Sequence, residues 1–207
     1  MSSLLEATDR LERIPIADGE VYYLSKLELG RDNHAVLDQL TADIPWRQES
    51  ILVWGKMHLQ PRLVAWYGDR GSDYTYSGIT LTPLPWSDLL LEIKKRIETV
   101  TPASFNSVLL NYYRDNRDSM GFHSDDEPEL GPRPVIASLS LGEERTFIMK
   151  HKLNKLVKPV RLKLASGSLL LMKGETQRYW SHGIAKESRP CGPRINLTFR
   201  QIIPPSA

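Results

Sequence analysis

From Phe105 onward the sequence takes on a period of two, and this pattern constrains the fold more than any other feature. Six segments read as strands on it: Phe105–Tyr113, Val135–Leu141, Thr146–His151, Val160–Leu164, Ser168–Lys173 and Arg194–Ile202. Side chains at that period fall on alternate faces of a strand, so each segment has one face to bury. Two stretches of helical spacing precede them. Val36, Leu37, Leu40 and Ile44 recur behind Asp32, and Leu89, Leu90, Ile93, Ile97 and Val100 follow Pro85-Trp86-Ser87. Each has a single apolar face. Six strands after two helices predict an α+β chain, with a mainly antiparallel sandwich or barrel braced by helices. The Pro- and Gly-rich segments Glu127–Pro134 and Glu187–Pro193 read as loops, and no repeat or linker divides the 207 residues, so one domain is expected.

Charge narrows the partners. Residues 1–140 hold 14 Lys/Arg against 21 Asp/Glu, and residues 141–200 hold 13 against 4, so a net charge of +2 conceals halves of about −7 and +9. Seven basic residues and no acid lie from Arg145 to Lys163. That density suits a polyanion, although a solvated strand pair with lysine-protected edges would read the same way. No apolar run approaches the roughly 20 residues of a membrane helix. The acidic Glu6 comes too early for a signal peptide, and the sole cysteine, Cys191, has no partner for an internal disulfide. The expected compartment is the cytoplasm.

Three polar groupings interrupt the apolar pattern. In Gly121-Phe122-His123-Ser124-Asp125 an extended chain would turn His123 and Asp125 to one face, about 6–7 Å apart. His182, in Trp180-Ser181-His182-Gly183, could complete a site of two histidines and one carboxylate that leaves coordination positions open for oxygen chemistry. Hydrogen-bonded structural roles are the alternative for each. In Arg194-Ile195-Asn196-Leu197-Thr198-Phe199-Arg200, alternation sets Arg194, Asn196, Thr198 and Arg200 against Ile195, Leu197 and Phe199. Arginines on an inner face need anions, either a dicarboxylate ligand or carboxylates of the protein itself. Asn111 and Tyr113 share a strand face in Leu109-Leu110-Asn111-Tyr112-Tyr113.

Taken together, these residues resemble the AlkB family of iron(II)- and 2-oxoglutarate-dependent dioxygenases, from about Ile44 to Ile203. The resemblance leans towards animal homologues acting on DNA and on single-stranded nucleic acid. It is carried further by Gln60-Pro61-Arg62, Tyr74-Thr75-Tyr76-Ser77, Asp125-Asp126-Glu127 and Ile136-Ala137-Ser138-Leu139-Ser140. It implies a double-stranded β-helix, or jelly roll, in residues 105–203. Supporting helices and a nucleotide-recognition lid would occupy residues 1–104. Fe(II) would be held by His123, Asp125 and His182, with 2-oxoglutarate as cosubstrate and O2 as oxidant. Arg194 would clamp the far carboxylate with Asn111, Tyr113, Asn196 and Thr198, while Arg200 would balance charge near the cosubstrate and Asp126.

The substrate implied is an alkylated nucleobase such as 1-methyladenine or 3-methylcytosine, in DNA or in RNA. A catalytically silent nucleic-acid-binding module on the same fold, or a protein hydroxylase, is the alternative. Tyr74 and Tyr76 would face the extruded base, Asp126 and Glu127 would supply acceptors, and Arg62, Lys150, His151 and Lys152 would meet phosphates. Val53, Trp54 and Gly55 fall where the duplex-acting homologues insert an aromatic finger, and the alternative for Trp54 is a core residue in a buried strand. Acting on DNA would place the protein with the nucleoid in a bacterium and in the nucleus in a eukaryote. No oligomer is implied.

Overall fold

A computed structural model of the chain describes residues 10–53, 56–76 and 79–203. The elements run β1 (Glu12–Ile14), β2 (Glu20–Leu24), α1 (Asn33–Asp43), β3 (Ser50–Val53), β4 (Lys56–Leu59), β5 (Leu63–Gly68), β6 (Tyr74–Tyr76), β7 (Ile79–Leu81) and α2 (Asp88–Val100). They continue with β8 (Ser107–Tyr113), β9 (Met120–His123), β10 (Ile136–Gly142), β11 (Arg145–His151), β12 (Val160–Leu164), β13 (Leu169–Lys173), the single turn α3 (Thr176–Tyr179), β14 (Trp180–Ile184) and β15 (Arg194–Arg200).

Both long helices begin where a side chain can cap them. Asp32 accepts from the backbone N–H groups of His34 and Ala35, and Ser87 accepts from that of Leu90, satisfying donors that a helix start leaves open. The strands form a seven-stranded sheet in the order β1-β2-β13-β10-β15-β8-β5 and a four-stranded sheet in the order β12-β11-β14-β9, antiparallel throughout. Two hairpins, β3-β4 and β6-β7, stand outside them.

Alternation along the central strands explains the layering. Leu110, Leu139, Leu141, Ile195, Leu197 and Phe199 point to one side of the large sheet and pack with Val36, Leu37 and Leu40 of α1 and Leu90, Ile93 and Ile97 of α2. On the other side Leu109, Tyr113, Ile136, Leu170 and Met172 meet Phe147, Met149, Trp180 and Ile184 of the small sheet. This two-sheet arrangement is the jelly roll expected from the resemblance. The element order differs from that expectation, since β1 and β2 precede the helices and β5 lies between them. β2, β5, β9 and β14 carry short or irregular patterns, and partners distant in sequence hold them in the sheets.

Candidate active site

β9 and β14 lie side by side in the small sheet, with His123 directly opposite His182. Cross-strand neighbours approach closely, and the two imidazole rings are 4.4 Å apart between centroids. Glycine is required beside His182, because a Cβ on Gly183 would stand 2.9 Å from the Met120 carbonyl oxygen. Asp125 follows just past the end of β9. Its backbone N–H donates to Gln177 Oε1 at 3.0 Å, and the Ser124 hydroxyl donates to the Trp180 carbonyl at 3.0 Å, so the loop is fastened to α3 and β14. The Asp125 carboxylate then stands 3.9 Å from Nε2 of each histidine. One donor atom from each of His123, Asp125 and His182 falls within 4.8 Å of the others, spacing that fits a single metal ion. Phe147 stacks on His182 at 5.1 Å between ring centroids.

Protonation favours the same reading. Burial alone would push the Asp125 carboxyl up. Arg200, whose Nη2 donates to Oδ1 at 2.7 Å, and then the two histidines outweigh burial and hold it at about 2. Burial first, and then proximity to His123, pushes His182 down to about 3, while burial also lowers His123. At neutral pH the trio therefore presents two neutral imidazoles and one carboxylate, the forms that bind a divalent metal.

The large sheet supplies the opposite wall. Arg194, Asn196, Thr198 and Arg200 all line one cavity with Asn111 and Tyr113, and the register sets Arg194 opposite Tyr113 and Asn196 opposite Asn111. The cavity is shared with the three candidate ligands, His123, Asp125 and His182. Asn196 donates to Ser138 Oγ and the Leu139 carbonyl, and accepts from the Thr198 hydroxyl. Arg194 is 1% exposed, and its Nη2 donates to Ser140 Oγ at 2.9 Å. Among the described residues its Nε and Nη1 have no hydrogen-bond partner. A buried guanidinium with two unused donors matches a carboxylate from a ligand, and this donor set fits the far end of 2-oxoglutarate.

Several expected placements differ. Arg62 is 4% exposed and its Nε donates to Asn111 Oδ1 at 2.7 Å, so it braces the cavity wall instead of reaching outward to a phosphate. Arg200 pairs with Asp125 and not with Asp126, because its inner-face position on β15 aims it into the cavity. The exposed Asp126 pairs with Lys152 at 3.2 Å. Lys152 also donates to Ser124 Oγ and the Gln177 carbonyl, clasping the ligand loop, while His151 binds Asp18 and accepts from the Asn154 N–H. Both have partners within the chain, and Lys152 remains exposed to solvent. Lys150 is exposed, its ammonium 3.8 Å from the Phe122 ring centroid. Glu127 is half-buried at the start of the turn Pro128–Leu130. Tyr74 and Tyr76 belong to β6, and Val53 ends β3. Trp54 and Gly55 lie outside the described residues. Gln177 and Phe147 carry no sequence signal for the roles they play here. Ser138 and Ser140 do, since they alternate with the apolar residues of β10.

The family model of the 2OG-Fe(II) oxygenase superfamily matches residues 21–200. The chain belongs to that superfamily. Within it, the chain is 47% identical over 177 residues to the mouse alpha-ketoglutarate-dependent dioxygenase alkB homolog 3, covering 82% of this chain and 61% of that protein. It is 47% identical over 160 residues to the mouse DNA oxidative demethylase ALKBH2, covering 74% and 67%. The Arabidopsis thaliana protein of the same name is 36% identical over 209 residues, covering 89% and 67%. The chain thus spans about six tenths to two thirds of the length of these curated relatives. The solved structure of OsALKBH1 superposes with a TM-score of 0.63 at 16% identity, over 92% of this chain and 100% of that one, which shows a common fold. Among the described residues no helix is long and apolar enough to cross a membrane.

Proposed function

We propose that this chain is an iron(II)- and 2-oxoglutarate-dependent dioxygenase that oxidatively removes alkyl groups from nucleobases in DNA, working as one domain with its catalytic core in residues 105–203. One observation carries the reading. A metal-competent trio and a buried arginine with two unused donors open into the same cavity.

His123, Asp125 and His182 would hold iron, and Arg200 keeps Asp125 anionic and aimed at the histidines. Arg194 would take the far carboxylate of 2-oxoglutarate, with Asn111, Tyr113, Asn196 and Thr198 completing that end of the cavity. When bound, iron, 2-oxoglutarate and O2 supply the power to hydroxylate a C–H bond of an N-alkyl group, and the product then loses the carbon as an aldehyde. The neutral histidines accept no proton at neutral pH and stay available as ligands.

DNA as substrate is supported by the relatives named DNA oxidative demethylase. The exposed basic residues between Lys150 and Lys163 suit a polyanion, with Lys150 near the site. A base must leave the stack to reach a buried metal. Tyr74 and Tyr76 on β6, with Asp126 and Glu127 beside the ligand loop, are proposed to receive it. Val53, Trp54 and Gly55 are proposed to fill the gap in a duplex.

The test is purified protein with Fe(II), 2-oxoglutarate and ascorbate, offered 1-methyladenine or 3-methylcytosine in single-stranded DNA, duplex DNA and RNA. Expected is methyl loss from DNA matched by succinate formation. Succinate without demethylation of any nucleic acid would overturn the substrate, and absence of both would overturn the enzyme.

A further inference from the structure

Behind Tyr113 lies a buried cation that the proposed reaction leaves unused. Arg145 opens β11, and its side chain is 0% exposed. A guanidinium does not give up its proton in a protein, so the surroundings must meet its charge. Its Nη1 donates to the Asp115 carbonyl at 3.3 Å, and its Nη2 to the carbonyls of Asp118 at 2.9 Å and Ala185 at 2.6 Å. These carbonyls belong to two loops, one after β8 and one after β14, which also bind each other through Asn116 and Glu187. The carboxylate facing Arg145 is Glu187, 3.6 Å from Nε and 38% exposed, so water screens much of its charge.

Fastening two loops does not require a full charge, since a neutral amide can donate to carbonyls without the cost of burying an ion. The position of the charge is more informative. The Arg145 guanidinium carbon stands 5.7 Å from the centroid of the Tyr113 ring, and that of Arg194 stands 5.1 Å from the same centroid. Tyr113 lines the cavity beside Arg194, whereas Arg145 sits outside that lining. The Arg194 end of the cavity therefore carries two buried cations around one aromatic ring, and Arg194 has two donors without a hydrogen-bond partner among the described residues.

We propose that Arg145 is a positioning residue for the cosubstrate. It fixes the Tyr113 ring against Arg194, and its charge favours a ligand with a second carboxylate at that end over a 2-oxo acid lacking one. The proposal rests on the reading of this cavity as the 2-oxoglutarate site. At the separations involved, a buried unit charge changes the affinity of an anion by about tenfold.

The experiment measures equilibrium binding by calorimetry on Mn(II)-loaded protein without turnover, with 2-oxoglutarate and with 2-oxobutyrate, which keeps the chelating end and lacks the far carboxylate. Arg145→Met should weaken 2-oxoglutarate by about tenfold and leave 2-oxobutyrate within about twofold, while Arg145→Lys, which keeps the charge, recovers most of the loss. Equal weakening of both acids would make Arg145 a scaffold residue only, and unchanged 2-oxoglutarate binding would remove it from the site; either result overturns the proposal. Should Arg145→Met not fold, Glu187→Gln decides: removing the opposing carboxylate should tighten 2-oxoglutarate about twofold to threefold and spare 2-oxobutyrate, and no change overturns the proposal. A wild-type protein that binds neither acid would instead overturn the reading of the cavity on which this rests.

Discussion

Arg200→Met keeps an unbranched stem in the core and removes only the charge that Asp125 relies on. Asp125 is 1% exposed and accepts a 2.7 Å hydrogen bond from Arg200, which is itself 2% exposed. Removing one partner of a buried ion pair costs about 3–5 kcal/mol, because the remaining charge loses its compensation. Asp125 can relieve part of this by taking a proton once Arg200 no longer holds it at about 2. The lower end, about 3 kcal/mol, is therefore expected for the metal-free protein. In a chain of this size each kcal/mol moves the melting temperature by about 2–4 °C, so the variant should melt roughly 6–12 °C earlier. A divalent metal puts positive charge back beside the same carboxylate, and its stabilising effect should be larger in the variant than in the wild type. Calorimetric melts at pH 7, with and without Mn(II) as a non-reacting stand-in, measure both quantities. A metal-free variant within about 2 °C of wild type, or a metal-induced gain no larger than in wild type, would refute the argument.

Replacing His123, Asp125 or His182 by alanine should each abolish oxidation, since one lost ligand both loosens iron and spoils its geometry; demethylation by any folded single variant would rule out this trio. Arg194→Ala should raise the 2-oxoglutarate requirement by at least about tenfold while metal binding survives, and an unchanged cosubstrate titration would move the carboxylate clamp elsewhere. Tyr76→Ala is expected to lower demethylation while slow uncoupled succinate formation continues; parallel loss of both would assign Tyr76 a structural role. With His182 held down at about 3 and His123 also lowered, metal affinity should change less than about threefold between pH 8 and 6, where two ordinary histidines would lose roughly tenfold, and a Mn(II) titration at the two pH values distinguishes the cases. The unfolded chain binds protons that these two histidines refuse when folded, so metal-free stability should decline as pH falls below about 6.5.

The helices were legible in the sequence because their signals are local. Asp32 and Ser87 cap them, and apolar residues recur every three or four positions behind each cap. The inner face of β15 was legible for a similar reason, since strict alternation leaves Arg194, Asn196, Thr198 and Arg200 no other side to share. β9 escaped because it is four residues long, half exposed, and held by one neighbour across a register shift. Its pairing with β14 depends on residues some 60 positions apart, and that pairing is what brings His123 to His182. Partner choice among charges was hidden as well. Nothing local tells whether Arg200 reaches Asp125 or Asp126, or that Lys152 turns back to Ser124 and Gln177 instead of outward.

The two inner-face arginines of β15 do different work, and the difference follows from where carboxylates come from. Arg200 meets Asp125, supplied by the chain itself. It occupies the carboxylate before any metal arrives and keeps it ionised. Among the described residues Arg194 meets Ser140 and the Tyr113 ring, and no carboxylate is recorded against it. Burial lowers its basicity, Tyr113 offsets only part of that and the nearby Arg145 adds to it, so a ligand carboxylate would relieve the remaining cost. One arginine therefore stabilises the folded, metal-free site, whereas the other, on the proposed reading, would reserve its interaction energy for the cosubstrate. Fully satisfying Arg194 with a protein carboxylate would make a more stable fold and a weaker binder, because a dianion would then have to displace an internal partner before it could bind.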